Sequence, residues 1–331
     1  MGAKDIKANK YMADNARFAD LFNYKLYDGR PVIQPDELQE RDATELLDVF
    51  GVDKKQLQVQ KLRDLLKSAI IKSTQSAFYV LLGLENQTKI HYAMPVRAML
   101  YDAINYEKQI NETGKMHKKN KDHMTPAEFL SNFKKTDRLT PIVTLTLYWG
   151  ADDWDGPTHL HQMFHDMDEH LKQFIPDYHI NLIAPNQIQS FEKFRTELGK
   201  TLEFIKYSSD TPHFKKMLSG LKNQKLSNET VSVINSFTGA GIKLNEKEEV
   251  TDVCLAIEEI KREAAEQAAQ QATQIATQIA TQKTTAQDLI TSVESIMKNF
   301  SLSLENACKG LDHTVEEYEK AKKLLETMQT I

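Results

Sequence analysis

An α/β layer fold carrying a long C-terminal helical tail is what this 331-residue sequence predicts. Three observations carry that expectation. Over residues 1–260, short apolar and β-branched runs alternate with segments of helical period. Neither glycine nor proline occurs from Ile242 to Lys309. Inside that stretch, Glu263–Thr285 is rich in alanine, glutamine and threonine and repeats the tetrad Ala-Thr-Gln-Ile from Ala272. The chain therefore divides into a mixed body at 1–260, a low-complexity helix at 261–300 and a short helical hairpin at 301–331.

Each element of the body has a local reason. Arg17–Tyr27 places Phe18, Leu21 and Phe22 on one helix face, and Tyr27-Asp28-Gly29-Arg30-Pro31 breaks it. Gln58–Ile71 and Ser76–Gln87 read as two strands joined by a polar turn at Lys72–Gln75. Pro95–Glu107 reads as a helix with Val96, Met99, Leu100, Ala103 and Ile104 inward. Ile142–Trp149 and Ile180–Ile183 read as strands, and Phe191–Tyr207 is amphipathic. In the tail, Ser303 caps one short helix that Gly310 stops, and Thr314 with Glu317 forms a capping box for the next.

Composition narrows the function classes. The net charge of −5 and pI of about 6.1 give no global field for nucleic acid, so any DNA contact needs a local basic patch. Two distant cysteines, Cys254 and Cys308, exclude a disulfide scaffold, a thiolate zinc site and an iron–sulfur cluster. The apolar runs Ala77–Leu82 and Leu145–Trp149 are too short to span a bilayer. No apolar signal region follows Met1, so a cytoplasmic location is expected, without a membrane partner.

The segment Leu81-Leu82-Gly83-Leu84-Glu85-Asn86-Gln87 is an apolar strand ending in Glu-x-Gln. Alternation puts Glu85 and Gln87 on one face. A hairpin turning at Thr74-Gln75 pairs residues whose numbers sum to 149, which sets Asp64 opposite Glu85. Opposed carboxylates repel, so removing either should leave stability intact, and a divalent cation between them would relieve the repulsion. Asp64 and Glu85 are therefore candidate ligands for Mg²⁺, with Gln87 beside them to orient a water. A solvated hairpin face, paired with Arg63 or Lys89, explains the same carboxylates without a metal.

An Asp on one strand followed by (D/E)-x-K on the next marks the PD-(D/E)xK nucleases, and Gln87 stands where their lysine is usual. More specifically, the chain resembles the Rpn family of bacterial recombination-promoting nucleases, also described as transposases. The resemblance rests on FADLFN (Phe18–Asn23), LRDLLK (Leu62–Lys67), LLGLENQTKIHYAMPVRAMLYDAINY (Leu81–Tyr106), EFLSNFKKTDRLTPIVTLTLYWG (Glu128–Gly150), WDGP (Trp154–Pro157) and DYHINLIAP (Asp177–Pro185). It covers most of residues 10–260 and implies a restriction-endonuclease-like core and Mg²⁺-dependent DNA cleavage. Asp64 and Glu85 would be the metal ligands and Gln87 would replace the catalytic lysine. Asn181 stands where many members carry Asp, and Asp20 offers an outer acidic group. A nuclease fold kept as an oligomeric DNA- or protein-interaction module, without catalysis, is the alternative that Gln87 and Asn181 motivate.

Other candidates are weaker. Arg97 and Tyr101, four apart on the following helix, are placed to hold a phosphate, or form a surface cation resting on a ring. Lys118 and Lys119 sit in the one local basic concentration, which either tracks a DNA backbone or is a solvated loop. His161 and His165 lie four apart but lack a glutamate and a third ligand, so a polar helix start is expected instead of a zinc site. Ala268, Ala272, Ala276 and Ala280, with Ile275 and Ile279 beside them, form a narrow stripe expected to pair with a second copy of the chain.

Overall fold

The computed structural model describes residues 2–41, 64–72, 77–208, 225–245 and 247–329. Of the expected turn at Lys72–Gln75, Lys72 is still in a strand and residues 73–75 lie outside the described residues, as do the strand residues 58–63, Arg63 among them. The fold is α/β, and the chain divides into two units, Met1–Ala256 and Ile257–Ile331. The boundary falls four residues before the one expected at 260.

The first unit begins with α1 (Ala3–Ala13) and α2 (Asn15–Tyr27). The Asp14 side chain accepts the Arg17 N–H at the start of α2, and Asp28 and Gly29, both at positive φ, end it. The strands are β1 (Gln39–Glu40), β2 (Leu65–Lys72), β3 (Ala77–Gln87), β4 (Ile142–Tyr148) and β5 (Asn181–Ile183). They form one mixed sheet in the order β1-β2-β3-β4-β5. β2 runs antiparallel to β3, while β3, β4 and β5 are parallel neighbours. The register is Leu65 opposite Leu84, the pairing sum the sequence predicts.

The crossover from β3 to β4 is α3 (Met94–Asn120) and the short α4 (Pro126–Ser131). α3 runs thirteen residues past its expected end at Glu107. Its second half is polar but built of good helix formers, so propensity continues it where amphipathicity gives no signal. The short α5 (Glu169–Lys172) lies between β4 and β5, and α6 (Leu198–Tyr207) follows β5. Next come β6 (Lys225–Ser227), α7 (Asn228–Thr238) and β7 (Val250–Asp252), with β6 and β7 paired. Gly239, at φ +69°, caps α7.

The two faces of β3 are covered differently. Leu82 and Leu84, with Leu145, Leu147 and Trp149 of β4 and its end, join Tyr11, Phe18, Leu21 and Phe22 in the main apolar core. The α3 face carries Glu85, Thr144 and Thr146, all buried, against Tyr101, Asp102 and Asn105. Thr144 Oγ1 donates to Asp102 Oδ1 at 2.6 Å, and Tyr178 donates to the other oxygen. The inward face of α3 is only partly the one predicted: Ile104 is buried, but Val96, Leu100 and Ala103 are exposed, because the sheet offers α3 polar partners.

The second unit holds most of α8 (Val253–Phe300), followed by α9 (Leu304–Gly310) and α10 (Val315–Gln329). Ser303 and the Thr314–Glu317 box cap as expected. The hairpin is not a separate tail: Ala286, Ile290 and Val293 of α8 pack with Cys308, Tyr318 and Leu325 in one small core. Residues 266–285 of α8 are exposed throughout. No helix among the described residues is long and apolar enough to cross a membrane.

Candidate functional site

A cleft of about 870 Å³ opens at the carboxyl end of β3, beside Asp64 and the start of α1. Asp64, Gln87, Lys89, His91 and Arg97 line it, with Lys4 and Asp5 from the start of α1. Asp64 lies one residue before β2, opposite Glu85 by the register. Its Oδ2 accepts the Asn86 N–H at 2.8 Å and its Oδ1 accepts the Asn9 side-chain amide at 2.9 Å. Asn86 in turn donates to Asn9 Oδ1 and accepts from the Trp149 indole N–H. The carboxylate is thereby fixed by α1, β3 and the end of β4.

Glu85 is fully buried, and Arg97 Nη2 stands 3.2 Å from its Oε2. Arg97 Nε donates to the Tyr101 hydroxyl at 2.6 Å, which is the i,i+4 contact the sequence spacing predicts. Burial works against the Arg97 charge, but Glu85 and Tyr101 outweigh it and hold its pKa above the ordinary arginine value. Burial, with Glu85 adding, pushes the Tyr101 hydroxyl up. Burial, with Arg97 adding, pushes the His91 imidazole below the ordinary histidine range.

These contacts correct the expected repulsion. Arg97 offsets Glu85, and Asp64 takes two hydrogen bonds, so the carboxylates contribute to the fold in their own right. Asp64 keeps donor capacity for a hard divalent cation at the cleft, while Glu85 is buried against Arg97 and is not among the residues that line it. A carboxylate has about four acceptor positions, and Asp64 uses one on each oxygen. The amide of Gln87 and the open cleft add a neutral oxygen and room for water.

The structure brings together Asp64, Glu85, Gln87, Arg97 and Tyr101 but not Lys118 and Lys119. The latter stand at the far end of α3, about 30 Å along the axis from Arg97 at 1.5 Å per residue. There Lys118 lies over the Phe129 ring, and His117 bridges Asp122 and Asp137 at 2.6 and 2.8 Å. Asp20 is also elsewhere: its carboxylate accepts the Arg195 and Thr196 N–H groups ahead of α6. Asn181 ties β5 to β4 by donating to the Thr144 carbonyl. Lys67, buried on β2, does not stand in for the missing lysine, because its Nζ donates to Ala13 O and Asn15 Oδ1, both at 2.6 Å.

Sequence reasoning missed Asn9 and His91. Asn9 belongs to a helix whose polar sequence carries few apolar positions, so no periodicity announced it. His91 follows β3 in a short loop, where nothing but proximity to Glu-x-Gln marks it. Compared with known proteins, the chain matches no family model, no curated protein and no solved structure.

Proposed function

We propose that the chain is a metal-dependent DNA endonuclease with a restriction-endonuclease-like core, acting in recombination. The observation that carries this reading is the β2–β3 register, which, continued one residue past Leu65–Leu84, sets the cleft residue Asp64 opposite the buried Glu85. The antiparallel β2–β3 pair followed by parallel β4 and β5, and the resemblance to the Rpn family, support it. Asp64 and Glu85 would hold Mg²⁺ or a similar cation. When bound, that ion acidifies a water and offsets charge on phosphoryl oxygens. Gln87 orients the water by hydrogen bonding but, being neutral, cannot lower its pKa. Arg97 has a planar fork suited to a phosphate, and Lys4 and Lys89 offset backbone charge. With plasmid DNA and Mg²⁺ or Mn²⁺, nicking is expected, with at least a hundredfold loss in Asp64→Asn and Glu85→Gln. Variants that nick as fast as wild type would sink the reading.

A second reading has its own observation. Both carboxylates already have partners within the chain, and the lysine position holds Gln87. On that reading the chain is a nuclease-fold interaction module that holds DNA or protein without cutting. DNA retention with no cleavage across divalent ions and pH selects it.

We infer that the tail assembles copies of the chain in either case. Residues 266–285 are exposed on every side, Ile275 and Ile279 included. A helix this long gains stability by burying a stripe against a second one. Ile275→Gln with Ile279→Gln is expected to lower the particle mass in light scattering to that of one chain. An unchanged multimer would locate assembly elsewhere.

A further inference from the structure

The β4–β5 crossover brings four chemistry-bearing side chains together away from the cleft residues. His159 and His179 form an isolated antiparallel bridge. Flanking bonds run from Leu160 N to Tyr178 O and from Ile180 N to Thr158 O, each 2.9 Å. His159 and His179 are thus a non-hydrogen-bonded pair, the kind whose side chains approach most closely. Their rings stack at 5.0 Å. Asp177 lies two residues before His179 on the same extended strand, so it shares their face.

The carboxylate is aimed. Asp177 Oδ1 accepts the His161 N–H at 2.9 Å, which fixes the group. Its Oδ2 faces His159 Nδ1 at 2.8 Å, His179 Nε2 at 3.4 Å and His161 Nδ1 at 3.8 Å. His159 Nδ1 is buried and makes no hydrogen bond among the described residues, although that oxygen stands so near. His161 Nε2 lies 2.8 Å from the Ile175 carbonyl, which only accepts, so the proton sits on Nε2. Three imidazoles converging on one anionic oxygen need a cation between them or protons on the rings.

We propose that His159, Asp177 and His179 bind a borderline first-row divalent ion of the zinc class, with His161 as the supporting imidazole. Among the described residues these three are the one His/Cys/Asp/Glu group whose donor atoms all lie within 4.8 Å of one another. A tetrahedral zinc with ligands near 2.1 Å spaces its donors about 3.4 Å apart, close to the spacings around Asp177 Oδ2. Two imidazoles select zinc-class ions over Mg²⁺, so this site differs in kind from the carboxylates at the cleft. The ion would clip together the two ends of the crossover. Between those ends and β4 runs Trp154–Pro157, where Asp155 accepts from Tyr92 at 3.3 Å, next to the cleft residues Ile90 and His91. The clip would therefore hold one flank of the cleft, whether or not the cleft cuts DNA.

The test uses the full-length chain, stripped with a chelator and titrated with Zn²⁺ by calorimetry and with Co²⁺ by visible absorption. One tight equivalent is expected at pH 7.5, apart from any weaker binding at Asp64 and Glu85, with a d–d band for four- or five-coordinate cobalt. Saturating Zn²⁺ should raise the melting temperature by about 5 °C. His179 is two-thirds exposed, so His179→Ala keeps the fold and is expected to weaken Co²⁺ binding at least tenfold. His159→Gln should do the same, while Asp64→Asn and Glu85→Gln keep the tight Co²⁺ equivalent and its d–d band. No Zn²⁺ binding by wild type, unaltered affinity in both histidine variants, or loss of the ion in the Asp64 and Glu85 variants would each overturn the site.

Discussion

On the side of β3 that meets α1 and α2, Leu82 and Leu84 pack among aromatic and aliphatic side chains. On the side that meets α3, Glu85 packs beside Arg97, Tyr101 and Thr146. Both sides exclude water equally, since Leu84 and Glu85 are each fully buried. The difference lies in how each residue is compensated. The leucines need only matching shape, and any apolar neighbour supplies it. Glu85 needs a specific cation, and Arg97 is there because α3 starts where β3 ends. Hydrocarbon holds the sheet together on one face, and on the other a buried charge is balanced by a specific partner.

The sharpest break of this comparison is Leu84→Ala. Removing a fully buried leucine side chain should cost about 2–5 kcal/mol in denaturant unfolding, with little change in activity per folded molecule. Glu85→Gln should cost less, about 1–3 kcal/mol, because it strands a guanidinium that is still partly solvated. Adding Arg97→Gln should recover part of that loss. A double variant no more stable than Glu85→Gln would mean that Arg97 does not balance Glu85. Cleavage, on the endonuclease reading, stays lost in both.

The smallest effect expected is on pH. Burial depresses the His91 pKa in the folded chain, so the unfolded chain takes up its proton first as pH falls. Stability is full above the ordinary histidine pKa of about 6.5 and declines as pH drops from there through the lower folded value. His91→Gln should flatten that part of the stability curve. A curve of unchanged slope would place the acid sensitivity in other groups. His117 has the opposite sign: hydrogen bonds to Asp122 and Asp137 raise its pKa, so its contribution is lost as pH rises through the folded value.

Much of the site was legible because it is built from short-range rules. The hairpin sum predicted Asp64 opposite Glu85, strand alternation paired Glu85 with Gln87, and helix spacing joined Arg97 to Tyr101. Asn9 was not legible, because it reaches Asp64 from another helix 55 residues away. The inward face of α3 was misread for a related reason. Val96 and Leu100 look like core by hydropathy, but the sheet face that α3 meets carries Thr144 and Thr146.

By itself the sequence determined the order of strands β2 to β5 and of α2, α3 and α6 among them, the β2–β3 register, the tail's caps and the bare alanine stripe. These depend on periods of two and 3.6 residues and on turn chemistry, all of which act within a few positions. Tertiary structure alone decided which carboxylates find partners, which lysines reach the cleft and that His159 meets Asp177 and His179. Those outcomes turn on hydrogen bonds and charges in three dimensions, where groups distant in the chain compete for the same buried partner.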